Sequence, residues 1–94
     1  MPVIFRYNGV EYRIWSNDHK PAHVHVRPAQ ANPEWEIIVF LGNEQEGTVD
    51  NYGRTFGDTK LVSGKIRLSQ IRKLVAYLWQ RRQDAWNTWK KING

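Results

Sequence analysis

Val3-Ile4-Phe5-Arg6-Tyr7-Asn8-Gly9-Val10-Glu11-Tyr12-Arg13-Ile14-Trp15 is the stretch from which the fold follows. Asn-Gly is the preferred pair for a two-residue type I′ turn, because both positions need positive φ. Runs of β-branched and aromatic residues flank it, so the stretch reads as a β-hairpin. The turn sets the register: Tyr7 opposite Val10, Phe5 opposite Tyr12, Val3 opposite Ile14. Those six side chains share one apolar face. On the other face Arg6 lies across from Glu11, an opposite-charge cross-strand pair, and Arg13 and Trp15 join them.

The chain continues as a polar connection from Ser16 to Ala22. A third strand, His23-Val24-His25-Val26-Arg27, is ended by Pro28. A fourth, Trp35 to Leu41, is apolar on nearly both faces and reads as internal. Five of the seven glycines fall in residues 42–64. That stretch is expected to be a long glycine-rich loop or hairpin, with short strands conceivable at Thr48-Val49 and Lys60-Leu61-Val62. One long helix is expected over residues 70–91, capped by Ser69. On it Ile71, Leu74, Val75, Leu78, Trp79, Ala85, Trp86, Trp89 and Ile92 fall in an arc of about 140°. Arg82 is the one charge inside that arc. A helix of ~22 residues is ~33 Å long and a seven-residue strand ~23 Å. The end carrying Trp86 and Trp89 is therefore expected to overhang the sheet. With Arg82 it forms a candidate partner interface. The expected fold is α+β: a single domain over residues 1–94, with an antiparallel sheet of four or five strands packed on one long C-terminal helix.

The 94 residues carry a net charge of +5 and no cysteine, so neither disulfides nor thiolate ligands are available. No apolar run approaches the ~18 residues of a membrane span, and the N-terminus lacks a signal-peptide pattern. A cytoplasmic protein with no membrane partner is expected. Residues 1–47 hold four Lys/Arg against six Asp/Glu; residues 48–94 hold ten against three. Such asymmetry suits a polyanion or an acidic partner. The sequence contains no Ser/His/Asp arrangement, paired carboxylates, phosphate loop or dinucleotide fingerprint.

All three histidines lie within seven residues, at 19, 23 and 25. His23 and His25, two apart in a strand, share one face. If the helix covers Val3, Phe5, Val10, Tyr12 and Ile14, then Val24 and Val26 join that core. His23, His25 and Arg27 then turn to the open face with Arg6, Glu11, Arg13 and Trp15. Three readings follow. In the first, His and Arg bind phosphate while Trp15 stacks on a base, as in single-strand RNA binders. Arg6, Arg13, Trp15, His23, His25, Arg27, Arg54 and Lys60 are the candidate residues, and RNA or DNA the expected partner. In the second, a divalent metal sits on His23 and His25 with His19 or Asp18 as third ligand. His19, His23 and His25 are then the candidate catalytic residues. In the third the imidazoles are purely structural. The helix spreads its basic residues around its polar side, unlike a groove-reading helix. The loop, with Tyr52, Arg54, Phe56, Lys60, Lys65 and Arg67, interleaves aromatics and charge.

Ser16-Asn17-Asp18-His19-Lys20-Pro21-Ala22-His23-Val24-His25-Val26 resembles the hallmark of a small bacterial family, domain of unknown function 4160. Asp18 stands where that family usually has Glu, and Ala22 replaces a second Pro. Gly64 to Leu74 and Trp86 resemble its closing helix. The likeness spans roughly residues 3–41 and 64–90, leaving 43–62 as an insertion. The resemblance implies a component of a toxin–antitoxin-like two-protein module with a small cognate protein as partner; the aromatic helix end would suit that partner or a homodimer. The resemblance leaves ligand and activity open.

Overall fold

The computed structural model describes residues 3–16 and 18–93. Among the candidate residues named above, all fall inside these ranges; Asn17 of the quoted hallmark lies outside them.

The chain forms an α+β fold. Five strands, β1 (Val3–Tyr7), β2 (Val10–Arg13), β3 (His23–Pro28), β4 (Trp35–Phe40) and β5 (Thr59–Gly64), make one antiparallel sheet in the order β1-β2-β3-β4-β5. Two helices follow, α1 (Leu68–Gln80) and α2 (Arg82–Asn93). The hairpin turn is the expected one: Asn8 and Gly9 have φ of 49° and 76°. Tyr7 pairs with Val10, Arg6 with Glu11 and Phe5 with Tyr12. The register slips beyond that point. Val3 pairs with Arg13, not Ile14, because Ile4 is an extra residue bulged out of the ladder. The bulge turns Ile4 to pack against the core.

One face of the sheet is the core. Tyr12, Ile14, Val24, Val26, Ile37, Val39 and Leu41 are all essentially inaccessible, and Leu74, Leu78, Ala85 and Trp89 close over them. The Tyr12 hydroxyl donates to the Leu74 carbonyl at 2.9 Å, joining the middle of the sheet to α1. Burial, with the neighbouring Tyr77 and Tyr7 adding to it, pushes the Tyr12 phenol above its ordinary range.

Several expectations need correction. Residues 42–64 are not all loop: Thr59 to Gly64 form β5, the sheet edge, exposed throughout. Thr48-Val49 is not a strand. The single helix over residues 70–91 is two helices, and α1 starts from Arg67 with no side-chain cap, so Ser69 is not its N-cap. The break is at Arg81 (φ −110°, ψ 13°), whose N–H turns back to the Leu78 and Trp79 carbonyls. A straight helix from 68 to 93 would be ~39 Å long, whereas the longest dimension of the Cα trace is 32 Å. The break folds the second half back over the sheet. Trp89 therefore does not overhang; it is 4% exposed and part of the core, and Trp86 is half-buried. Arg82 leaves the apolar arc: its guanidinium lies 3.8 Å over the Trp79 ring and donates to the Trp79 carbonyl. Among the described residues no helix is long and apolar enough to cross a membrane.

Candidate metal centre

Alternation along β3 sends Val24 and Val26 into the core and His23 and His25 to the other face. Arg13 pairs with His25 across β2–β3, and Ile38 pairs with His25 across β3–β4. The loop before β3 is drawn onto the same place. Asp18 Oδ2 accepts the Trp15 backbone N–H at 3.0 Å, and the Asp18 N–H returns to the Trp15 carbonyl at 3.3 Å. That leaves Asp18 Oδ1 over the histidines.

Each imidazole turns Nδ1 to an oxygen outside the cluster. His23 Nδ1 lies 2.8 Å from the Pro21 carbonyl, which can only accept, so Nδ1 carries the proton. His25 lies between two carboxylates, with Nδ1 3.1 Å from Glu36 Oε2 and Nε2 3.1 Å from Asp18 Oδ1; when Nδ1 donates to Glu36, the Nε2 lone pair is left for a cation. The Nε2 atoms of both rings turn to Asp18 Oδ1, at 3.5 Å from His23 and 3.1 Å from His25. With the protons on Nδ1, three lone-pair atoms face one another. A cation between them, a proton or a metal ion, turns that arrangement favourable.

The spacing suits a metal. Tetrahedral ligands at about 2.0–2.1 Å from zinc stand roughly 3.3 Å from each other. Asp18 Oδ1 stands 3.1 and 3.5 Å from the two Nε2 atoms, close to that spacing, and all three ligand atoms lie within 4.8 Å of one another. The Pro21 carbonyl and the Glu36 carboxylate occupy the positions from which outer groups orient metal-bound imidazoles and fix their tautomer. The three side chains are only 10–16% exposed. Aromatic rings wall them in: Trp15 lies 6.1 Å from His25, and Phe40 and Trp89 lie 6.0 and 5.4 Å from His23.

The expected basic face is more balanced than its sequence implies. Arg6, Arg13 and Arg27 all turn to Glu11, which is buried at 5% exposure. Arg27 also approaches Glu36 at 3.8 Å. Trp15 is shared between Arg13, 5.6 Å above its ring, and His25. Three arginines thus share two carboxylates, Glu11 and Glu36. Arg54 lies apart, 4.3 Å over the Phe40 ring, and Lys60 is exposed on β5 opposite Ile38. His19 is exposed and does not belong to the ligand cluster. Asp18, the alternative third ligand, takes that place.

No family model, curated protein or solved structure matches this chain. The resemblance to domain of unknown function 4160 therefore rests on the quoted residues alone, and the site is read from its own geometry.

Glu36 is the functional candidate that sequence reading missed. Its signal was available in the strand pairing: antiparallel β3 and β4 bring its side of β4 against His25. Without that register it was one of two glutamates flanking Trp35.

Proposed function

We propose that this chain is a small metal-dependent hydrolase in which Asp18, His23 and His25 hold a divalent cation. The observation that carries the reading is the convergence of Asp18 Oδ1 and the two Nε2 atoms, with the Nδ1 atoms turned away to the Pro21 carbonyl and to Glu36. Two imidazoles and one carboxylate suit Zn²⁺, Mn²⁺ or Fe²⁺, leaving coordination positions for water or substrate. When bound, such an ion supplies a water acidic enough to act as hydroxide near neutral pH, and polarises an ester or phosphoryl oxygen. The chain's own residues orient that site. Glu36 and the Pro21 carbonyl hold the two rings, Trp15 holds Asp18 through its backbone, and Phe40 and Trp89 keep bulk water from His23.

Elemental analysis of the purified protein, and of Asp18→Ala and His25→Ala variants, tests this. One equivalent of metal is expected in the native chain and less than a tenth in either variant. Hydrolysis of bis(p-nitrophenyl) phosphate should follow metal content, and chelation should lower the melting temperature, since a ligand bound only to the folded state stabilises it. A folded protein that takes up no Zn²⁺ or Mn²⁺ at 0.1 mM (an assay condition of about this order) sinks the proposal.

A second reading, nucleic-acid binding in a two-protein module, is supported by the surplus of positive charge in residues 48–94 and by exposed Lys60 and Arg54 stacked on Phe40. Arg6, Arg13 and Arg27 give it less support, since Glu11 already engages them. Salt-sensitive RNA or DNA binding, weakened by Arg54→Ala and Lys60→Ala, would favour it. A cytoplasmic location belongs to the same reading, and cell fractionation checks it.

A further inference from the structure

A cavity of about 440 Å³ lies beside the histidine cluster, between the loop Lys20–Ala22, the loop following β4, and α2. Its wall touches the proposed centre from behind. Pro21, whose carbonyl holds His23, and Trp89, whose ring packs on His23, both line it. A cavity of this size accepts a small organic ligand.

The lining defines the ligand's chemistry. Trp86 and Tyr52 supply aromatic rings to the wall, and Tyr52 is 57% exposed. Tyr52 is displayed by a turn built on Asp50, whose Oδ1 accepts the N–H groups of Tyr52 and Arg54 at 2.8 and 3.0 Å. Three amides stand around the same space. Asn93 spends its NH₂ on the Trp15 carbonyl at 3.2 Å, leaving its oxygen as an acceptor. Asn43 spends its oxygen on the Gln45 N–H at 2.9 Å, leaving its NH₂ as a donor. Asn51 adds a further amide at the wall. Donors and acceptors beside aromatic faces are what the edge and face of a nucleobase require.

The lining is charge-balanced, with Lys20 and Lys90 against Glu44 and Asp50, so the place for an anionic group on that base is set by which cation is unpaired. Lys90 is spent on Glu44 at 2.6 Å, and Asp50 turns its Oδ1 to the N–H groups of its own turn. Lys20 takes part in no ion pair among the described residues and stands exposed at the rim. We infer that the cavity binds a nucleoside monophosphate unit, its base against Trp86 and Tyr52, its edge read by Asn43, Asn51 and Asn93, and its phosphate beside Lys20. The inference goes beyond the metal centre and stands without it.

Calorimetric titration of the chelated, metal-free protein with AMP, GMP, CMP and UMP tests it. At least one nucleotide should bind saturably in the millimolar range or tighter (about −4 kcal/mol for 1 mM). Trp86→Ala should weaken it roughly tenfold, the usual loss for a stacking platform. Because Trp86 is half-buried, exposed Tyr52 and Asn51 provide variants that spare the fold. Tyr52→Ala should weaken every nucleotide, and Asn51→Ala should change the preference among bases. Lys20→Ala should weaken the nucleotide while leaving the parent nucleoside unchanged. A hexanucleotide ending in the preferred base separates the two sources of this unit. Tighter binding than the mononucleotide assigns a strand end, and equal binding assigns the free nucleotide. Absence of saturable binding by either, or binding indifferent to both Tyr52→Ala and Lys20→Ala, overturns the inference. Failure of metal uptake leaves these titrations unaffected, so the two proposals fall separately.

Discussion

At the scale of single residues, Glu36 and Tyr12 are polar groups whose partners decide what they do. Glu36 touches no proposed metal ligand atom; it holds His25 Nδ1 at 3.1 Å. Replacing it with Gln removes the charge that keeps the proton on that nitrogen. Zn²⁺ affinity should fall about 10- to 100-fold with the melting temperature of the metal-free protein little changed; titration against a competing chelator reads this directly. An unchanged affinity would mean that Glu36 serves only the sheet. Tyr12 is the opposite case, a hydroxyl serving stability. Tyr12→Phe loses the bond to the Leu74 carbonyl, at a cost of about 1 kcal/mol in denaturant unfolding. Its raised pKa also has a signed consequence. The folded state keeps the phenol protonated when the unfolded chain, with its ordinary value of 10.0, gives the proton up. The stabilisation is complete below that pH and declines above it, by up to ~1.4 kcal/mol per pH unit. Tyr12→Phe should flatten that alkaline decline.

Elements are decided by local geometry wherever the chain is tightly turned. Gly64, at the end of β5, has φ of 74°, and a Cβ there would come within 3 Å of the Glu34 carbonyl oxygen and Trp35 Cα. Gly64 is paired with Trp35 across β4–β5. Gly64→Ala should therefore loosen the edge strand and destabilise the protein by about 2 kcal/mol or more, combining the left-handed penalty with the clash. Gly9→Ala is a matched control with positive φ and no neighbour within 4 Å; it should cost about 1 kcal/mol. Equal losses would mean that the close approach at Gly64 is tolerated. The β1 bulge at Ile4 and the helix break at Arg81 are less legible than these turns. Neither proline nor glycine occurs at either place. The apolar patterns of Val3–Tyr7 and Leu68–Asn93 read equally well without interruption.

The whole molecule brings α2 to the site. Trp89 is the contact that joins core and candidate centre, buried against the sheet and packed on His23. Asn93, at the end of α2, bonds the Trp15 carbonyl, and the Trp15 N–H holds Asp18. Trp89→Ala should cost about 3–5 kcal/mol in unfolding free energy through the cavity it leaves. The milder Trp89→Phe should retain the fold yet weaken Zn²⁺ binding several-fold, because the smaller ring no longer supports His23. Thermal melts beside a metal titration separate the two effects. A Trp89→Phe protein with native metal affinity would show that α2 only covers the core.

Much of this architecture was legible in the chain alone. Asn8-Gly9 set the hairpin, and the alternation of His23-Val24-His25-Val26 assigned valines and imidazoles to opposite faces, although the face expected to be open is covered at His23 by Phe40 and Trp89. Both signals are local, since turn φ values and the two-residue period of a strand need no distant partner. The composition of the site was legible only in part. His23 and His25 were paired by their spacing, whereas the choice of Asp18 over His19 depended on how the loop folds back to the Trp15 N–H. The role of Glu36 depended on the pairing of β3 with β4. The gathering of Arg6, Arg13 and Arg27 around Glu11 depended on one buried carboxylate among them. The fate of Trp89 depended on a break in a helix whose sequence runs on unbroken. Short-range patterns determined which residues face together. Which of them meet was decided by tertiary structure, because contacts between segments distant in the chain are set by packing the common core.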